Sequence, residues 1–273
     1  MKFVEAAGMR MPAIGLGTWE LRGQDCVRLV QEAVKIGYRH FDTAQSYENE
    51  AEVGEGLRKS GLPRNETFIT TKIWPANHAP ADFARAFKES LAKLKLDQVD
   101  LLLLHWPSKE VPIADTIGAL CKVKKEGGAR HIGISNFTVA LLDEAVKHAS
   151  EPLACNQIEV HPYLDQSKVI AACRKHGIGV VAYSPIARGR LTDDGVLAAI
   201  GERHGKSAAQ VSLRYLVQQG LGVVPRTSKV ERLKENFAIF DFELSDAEMT
   251  EIAGLAISKA HRVVNIAVAP AWD

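Results

Sequence analysis

Short apolar runs alternate with helix-type patterns along almost the whole chain. Apolar residues recur at spacings of three and four between the runs, as in Val27, Val30 and Val34. The runs themselves have the length and composition of buried strands: Ala13–Gly17, Arg39–Thr43, Phe68–Ile73, Val99–Trp106, His131–Ser135, Ala154–Val160, Gly179–Ser184 and Gly222–Arg226. This alternation predicts successive βαβ units with parallel strands.

Eight such units predict a closed (β/α)8 barrel, the TIM-barrel fold. No Pro/Gly/Ser-rich linker interrupts the series, so we expect residues 1–273 to form a single domain. Two helical patterns, Asp193–Arg203 and Ser207–Gln219, precede the last strand, and one of them is expected to be an added helix. The segment Phe3–Met11, which turns at Ala7-Gly8, predicts a hairpin that plugs the barrel bottom.

Charge and cysteine content narrow the possible partners and the compartment. The 34 Lys and Arg residues nearly cancel the 33 Asp and Glu residues, which argues against nucleic acid or a membrane surface as partner and favours a small molecule. The N-terminus lacks a signal-peptide pattern, and no apolar stretch approaches the roughly 18 residues of a membrane span. The cysteines are widely spaced and without a C-x-x-C pair, as expected of reduced thiols: Cys26, Cys121, Cys155 and Cys173. We therefore expect a cytoplasmic protein, and a monomer.

Polar residues close several of the predicted strands. Because catalytic groups of such barrels lie at the carboxyl ends of the strands, these side chains are expected to converge on one mouth. A single polar strand end is more often a cap or a structural group, so it is the convergence from different strands that suggests function. The residues concerned are Asp42, Lys72, His105, Gln157, Tyr183, Ser184 and Arg226.

Asp42, Lys72 and Tyr47 make a chemically coherent set. An ammonium group beside a phenol lowers the phenol pKa, which starts near 10, by about one to three units. We therefore expect Lys72 to make Tyr47 a usable acid, and Asp42 to keep Lys72 charged. The alternative is a structural ion pair beside an ordinary rim aromatic. His105 has a similar alternative as a packed or capping residue, although a neutral imidazole at the mouth would orient a substrate carbonyl.

Three other kinds of site are disfavoured by the motifs. Gly15-Leu16-Gly17 lacks the third glycine of a Rossmann fingerprint and is interpreted as a tight turn. The nine histidines show no H-E-x-x-H or other clustered spacing, so no metal site is expected and a metal-dependent barrel hydrolase is disfavoured. The string GISNF around Ser135 lacks the second glycine of the G-x-S-x-G nucleophile elbow, so a serine hydrolase is disfavoured.

Several strings together are highly specific: HFDTAQSYENEAEVG, ITTKIW, LLLLHWP, IGISNF, NQIEVHPY, VVAYSP and VPRTSKVERLKENF. In this order, from about Ala13 to the end, the chain resembles the aldo-keto reductase superfamily. Within it the chain is similar to the bacterial 2,5-diketo-D-gluconate reductases, which also end near a P-x-W-D pattern like Pro270–Asp273.

The resemblance implies both a catalytic set and a cofactor, NADPH. The catalytic residues would be Asp42, Tyr47, Lys72 and His105. Those expected near the nicotinamide are Thr18, Trp19, Asp42, Ser135, Asn136, Gln157 and Tyr183. The pyrophosphate is expected along Ser184, Pro185, Ile186, Gly189 and Leu191, and the adenosine 2′-phosphate and adenine at Arg226, Thr227, Ser228, Arg232, Glu235 and Asn236. The family more often has Lys and Ser in place of Arg226 and Thr227, which keeps the charge and the hydroxyl but changes the geometry.

Aromatic residues define the expected substrate pocket. Tryptophan is usually a core residue, but three of the four follow strand ends, which suits an apolar pocket around a reacting carbonyl. The expected substrate contacts are Trp19, Tyr47, Trp74, His105 and Trp106. Arg22 and Arg262 are candidates for binding a substrate carboxylate by position alone.

The predicted function is NADPH-dependent reduction of small carbonyl substrates, such as 2-ketoaldehydes or keto-sugars, with Tyr47 as proton donor. The alternative is a non-catalytic, NADP-binding sensor or scaffold subunit on the same barrel.

Overall fold

A computed structural model describes residues 2–258 and 261–273 of the chain, and its centre is an eight-stranded parallel barrel. The barrel strands are β3 Gly15–Gly17, β4 His40–Asp42, β5 Phe68–Ile73, β6 Val99–Leu104, β7 Ala129–Ser135, β8 Leu153–Glu159, β9 Gly179–Tyr183 and β10 Gly222–Val223. They pair in chain order, and isolated parallel bridges from Ile14 to Val223 and from Gly17 to Arg226 close the ring. The predicted (β/α)8 barrel is confirmed.

Helices connect the strands on the outside of the barrel. Those within the described residues are α1 Gly23–Ile36, α2 Glu50–Lys59, α3 Pro80–Leu94, α4 Ile113–Lys125, α5 Val139–His148, α6 Ser167–Lys175, α7 Gly195–His204, α8 Ala208–Gln218, α9 Val230–Phe237 and α10 Asp246–Ser258. Helix α1 is amphipathic and buries one face, with Cys26, Val30 and Ala33, in the core. None of the described helices is long and apolar enough to cross a membrane.

The N-terminal hairpin covers the end of the barrel opposite the strand C-termini. Strand β1, Phe3–Ala6, pairs antiparallel with β2, Met9–Pro12. Val4 lies close to both Gly179 and Gly222, the first residues of β9 and β10. The expected bottom plug is therefore present.

Two strands end two or more residues earlier than the sequence predicts. Strand β6 stops at Leu104, although the His105 N–H still donates to the Ile73 carbonyl at 3.0 Å. Strand β10 stops at Val223, because Pro225 has no N–H to donate and Arg226 continues only as an isolated bridge.

Both predicted helical patterns before β10 are helices, and α7 is the added one. Helix α8 packs on β10, whereas α7 packs against α8 and α10. Leu197, Ile200, Val211 and Ile252 form the centre of a second apolar cluster there, beside the main barrel core.

Helices α2 and α3 approach each other closely at one glycine. A Cβ on Gly54 would lie 2.4 Å from the Leu94 carbonyl oxygen at the end of α3. Only glycine permits this spacing, which fixes how closely the second and third βα units pack.

Candidate active site

A cavity of about 770 Å³ opens at the carboxyl ends of the strands. Its apolar wall includes Trp19, Trp74 and Trp106 from the loops after β3, β5 and β6. Val264 and Ile266 of the C-terminal segment complete that wall. All five expected substrate contacts, Trp19, Tyr47, Trp74, His105 and Trp106, line this one cavity.

A buried ion pair lies at the base of the cavity. Lys72 Nζ is 2.6 Å from Asp42 Oδ1, and both side chains are almost completely buried. The ammonium also donates to the Thr43 carbonyl at 2.9 Å and approaches the Tyr47 hydroxyl at 3.4 Å. Gln157 Nε2 donates to Asp42 Oδ2 at 2.7 Å. Both oxygens of the Asp42 carboxylate are thus bonded, and three strands hold the pair in place.

The pKa of Tyr47 does not shift in the expected direction. Burial disfavours the phenolate and raises the pKa above 10, and the lowering effect of Lys72 is too small to reverse it. Asp42 adds to the rise because its charge offsets that of Lys72. Burial disfavours the Lys72 cation too, but the combined effects of Asp42 and Tyr47 outweigh it, so the Lys72 pKa is raised. The expected net lowering of the Tyr47 pKa is therefore wrong.

His105 is neutral in this setting. Burial, followed by the nearby charge of Lys72, lowers its pKa well below 6.5. Its ring lies edge-on to the rings of Tyr47 and Trp74, with centroids 5.5 and 5.3 Å away. Nδ1 is 3.3 Å from Ser46 Oγ, a contact that the sequence analysis did not anticipate. A neutral imidazole can orient a carbonyl without adding a competing charge.

A network of hydrogen bonds surrounds Asp42, Tyr47, Lys72 and His105. Asn136 Nδ2 donates to the His105 carbonyl at 3.0 Å, and the Tyr183 hydroxyl donates to Asn136 Oδ1 at 2.7 Å. Ser135 Oγ donates to the Gln157 carbonyl at 2.8 Å. Asn136 has a φ of +64°, a left-handed conformation that asparagine tolerates. These hydrogen bonds link the carboxyl ends of β6, β7, β8 and β9, so the ring of strands fixes the geometry of the network.

Trp19 lies between two arginines on one side of the cavity. Arg226 Nε donates to the Trp19 carbonyl at 3.1 Å, and the Arg188 guanidinium stacks 4.5 Å from the indole ring. Arg232 also lines the cavity. Neither Arg226 nor Arg232 forms an ion pair within residues 2–258 and 261–273, so their charges are available to an anion.

The cavity collects most, but not all, of the expected cofactor residues. Those that line it are Thr18, Trp19, Asp42, Ser135, Asn136, Gln157, Tyr183, Ser184, Pro185, Ile186, Gly189, Arg226 and Arg232. Leu191, Thr227, Ser228, Glu235 and Asn236 lie outside its wall. Leu191 is buried in the second apolar cluster, and Glu235 accepts a hydrogen bond from Ser207.

The two carboxylate candidates also lie outside the cavity wall. Arg22 pairs with Glu48 at 3.6 Å, and Arg262 stacks 3.7 Å above the Trp272 ring. Wall residues that the sequence analysis missed are Gly17, Glu20, Ser46, Arg188, Val224, Val264 and Ile266. Most of these lie on loops or in the C-terminal segment, where no strand or helix pattern indicates position. The described residues contain no cluster of three His, Cys, Asp or Glu side chains suited to a metal ion.

Comparison with known proteins finds similar sequences that match almost the full length of this chain. The model of the aldo/keto reductase family matches residues 13–257. The methylglyoxal reductase DkgB of Escherichia coli O157:H7 is 42% identical over 97% of this chain and 100% of its own length. The glyoxal reductase of Bacillus subtilis strain 168 is 43% identical over 94% of this chain and 92% of its own length.

Solved structures agree with that similarity. A protein provisionally described as a 2,5-diketo-D-gluconic acid reductase B superposes with a TM-score of 0.97 and 48% identity, covering 100% of this chain and 98% of that one. The aldose reductase of Schistosoma japonicum superposes with a TM-score of 0.89 and 36% identity, covering 93% and 91%. The resemblance noted from the sequence motifs is confirmed.

Proposed function

Because this chain belongs to the aldo/keto reductase family, we propose that it uses NADPH to reduce small aldehydes and ketones to alcohols, with Tyr47 as the proton donor. The observation that carries the proposal is the chain of contacts from Asp42 through Lys72 to the Tyr47 hydroxyl, beside a neutral His105. These groups meet at the base of an apolar cavity.

When bound, a nicotinamide cofactor would supply the hydride for the carbonyl carbon, and the protein would have to supply the proton for the oxygen. Tyr47 retains its proton at neutral pH because burial raises its pKa above 10. A phenol is still a stronger acid than an aliphatic alcohol, so proton transfer to a developing alkoxide is favourable. Lys72 limits the cost of the resulting phenolate, since its ammonium group is 3.4 Å from the hydroxyl.

His105 orients the substrate in this proposal. As a neutral ring beside Tyr47, it offers a hydrogen bond to the carbonyl oxygen and leaves the proton transfer to Tyr47. Trp74 and Trp106 exclude water from the reacting bond.

The donors along the cavity fit a dinucleotide with a 2′-phosphate. The side-chain amides of Asn136 and Gln157 both line the cavity, and that of Gln157 is bonded to Asp42. Arg226 and Arg232 lie on the wall with no carboxylate partner among the described side chains, as a phosphate site requires. Their charges support NADPH in preference to NADH.

The substrate is proposed to be a 2-ketoaldehyde such as methylglyoxal, or a keto-sugar such as 2,5-diketo-D-gluconate. Two curated relatives are named for methylglyoxal and glyoxal reduction, which supports the first class. All four cysteines, Cys26, Cys121, Cys155 and Cys173, are free and buried, which supports a reducing compartment, and we propose a cytoplasmic monomer.

The proposal is tested by mixing the protein with NADPH and methylglyoxal while following nicotinamide absorbance, with and without a chelator. We expect turnover that needs NADPH and survives chelation. Tyr47→Phe should bind NADPH normally but lose most of its turnover, about a hundredfold or more, because the ring still packs while the proton is gone. NADPH binding without any turnover of a carbonyl panel would favour a sensor or scaffold subunit, and near-normal turnover by Tyr47→Phe would remove Tyr47 as the acid.

A further inference from the structure

Glu159, at the end of β8, is a buried carboxylate that the proposed chemistry does not use. Its side chain is 0% exposed, yet its oxygens accept two backbone hydrogen bonds from outside the barrel. Val263 N–H donates to Oε1 at 2.6 Å and Val264 N–H donates to Oε2 at 2.9 Å. His161 Nε2 also lies 2.9 Å from Oε1.

The segment that Glu159 holds, residues 261–266, forms one wall of the cavity. Val264 and Ile266 face the cavity, while Trp19 and Trp74 lie in the walls built by barrel loops. Ile266 is 42% exposed, so the barrel itself covers little of it. The wall therefore depends on contacts that fix the backbone of this segment.

Contacts along the rest of the segment are weaker or more exposed. Lys109 Nζ donates to the Ala267 carbonyl at 2.8 Å, and the Asp273 carboxylate accepts from Val139 N–H at 2.9 Å, both in exposed positions. Charge-assisted hydrogen bonds are stronger when water is excluded. The two buried hydrogen bonds from the backbone to the Glu159 carboxylate are therefore the main contacts that hold this segment. The hydrogen bond from His261 N–H to the Tyr163 carbonyl at 2.8 Å positions the start of the segment.

Arg262 couples the anchor to the end of the chain. One of its guanidinium nitrogens is 4.0 Å from Glu159 Oε2, and the guanidinium group stacks over Trp272. Trp272 in turn lies edge-on to Trp106, with ring centroids 6.0 Å apart, and Trp106 lines the cavity. Removal of the Glu159 carboxylate would thus release two wall elements together.

We propose that Glu159 is a positioning residue that pins residues 261–266 onto the cavity and so sets the preference for substrates with an apolar group. Anchoring follows from the contacts alone, whereas the effect on substrate choice rests on the proposed carbonyl reduction. Glu159 is not among the residues that line the cavity, and the hydrogen bonds of its carboxylate described above go to Val263, Val264 and His161 rather than to Tyr47 or Lys72.

Glu159→Gln tests the anchor without an activity assay. Its amide places an NH2 group opposite a backbone N–H, so one of the two hydrogen bonds cannot form and Arg262 no longer has its counter-charge. Trypsin cleaves after arginine, and mass spectrometry identifies removal of residues 263–273. We expect cleavage after Arg262 to be at least several-fold faster than in the wild type. An unchanged rate would overturn the anchor, whether or not the protein reduces carbonyls.

Asp100→Asn is the matched control. Asp100 is also a buried carboxylate, and it accepts from Ile69 N–H at 2.8 Å and pairs with Arg64 and Arg130, but it lies at the start of β6, away from the mouth. This variant should lose stability without faster cleavage after Arg262. Equal acceleration in both variants would mean general destabilisation and would overturn the anchor.

Substrate choice is tested with 4-nitrobenzaldehyde and methylglyoxal. A displaced apolar wall in Glu159→Gln should raise KM for 4-nitrobenzaldehyde about tenfold, since pocket contacts of a methylene or two are worth this much. The values of kcat, KM for methylglyoxal and NADPH affinity should change less than about twofold. Equal KM changes for both aldehydes would overturn the role in substrate choice.

Val263→Pro provides a second route if Glu159→Gln does not fold. Proline deletes the N–H that donates at 2.6 Å and leaves the carboxylate intact. The same split in KM between the two aldehydes is expected, and its absence would overturn the proposal. If the wild type reduces neither aldehyde, the proposed function fails while the trypsin experiment still decides the anchor.

Discussion

The environment of single residues decides whether Tyr47 can work as an acid. The sequence was sufficient to predict that Asp42, Tyr47, Lys72 and His105 lie together, because each lies at or soon after the carboxyl end of a parallel barrel strand. It was not sufficient for the net pKa of Tyr47, since burial and the neutralising effect of Asp42 depend on the folded geometry. Glu159 was missed for the same reason, because its partners are backbone groups about a hundred residues away.

Lys72→Met should lower turnover strongly and change its pH dependence. Reduction requires protonated Tyr47, so activity falls as pH rises through the Tyr47 pKa. Burial raises that pKa and Lys72 lowers it, so removing Lys72 should move the alkaline limb to higher pH. The pH profile of kcat/KM measures the shift. An alkaline limb that stays in place, with full activity, would contradict the role of Lys72.

The same substitution should cost a few kcal/mol of stability, because Asp42 is left as a buried carboxylate without its cation. The double variant Lys72→Met with Asp42→Asn removes that charge. It should regain part of the stability in urea unfolding but none of the turnover. Recovery of both would mean that the pair is structural only.

Cofactor preference should depend on Arg226 and Arg232. Replacing both with alanine should weaken NADPH binding about ten- to a hundredfold for each charge-assisted hydrogen bond to the phosphate that is removed, while NADH binding changes little. Tryptophan fluorescence titration with each cofactor measures this, and Arg28→Ala, an exposed arginine on α1, is the control. Equal weakening of NADPH and NADH binding would show that the phosphate binds elsewhere.

At the scale of elements, hydrophobic periodicity predicted all eight barrel strands and the helices between them. The ends were less accurate, as at Arg226, because pairing there depends on Pro225 and on the partner strand. The N-terminal hairpin was predicted from its Ala7-Gly8 turn. The wall at Val264 and Ile266 was not, since an irregular segment has no period to detect.

Two helical glycines should respond oppositely to alanine. Gly54→Ala places a Cβ within 2.4 Å of the Leu94 carbonyl, so α2 and α3 must separate, at a cost of about 1–3 kcal/mol. Gly118→Ala on α4 meets no atom within 4 Å and should gain up to about 1 kcal/mol from helix propensity. Urea unfolding compares the two. Similar effects of both substitutions would contradict the close approach of α2 and α3.

For the whole molecule, buried histidines should make stability fall in mild acid. Burial lowers the pKa of His40 and of His78 to about 4, from 6.5. Between these values the unfolded chain takes up protons that the folded protein refuses. The contribution of these two histidines to the free energy of unfolding is therefore fully present above pH 6.5. It is lost as pH falls towards 4, by about 1.4 kcal/mol per pH unit for each histidine.

His78→Gln removes one of these groups and keeps a donor near the Ile73 carbonyl. The slope of unfolding free energy against pH should become shallower between pH 6.5 and 4, as measured by urea unfolding at several pH values. His148→Gln, at an exposed position, is the control. Equal slopes in the wild type and His78→Gln would contradict this origin of acid sensitivity.

The seam between the first and last barrel strands has a consequence for biosynthesis. Ile14 and Gly17 pair with Val223 and Arg226, which leave the ribosome only when most of the chain has been made. Until then the free edge of β3 has no partner, and unpaired strand edges promote aggregation. Ring closure is therefore a late step with large loop-closure entropy, and the nascent chain should depend on chaperones that shield this edge more than the finished protein does.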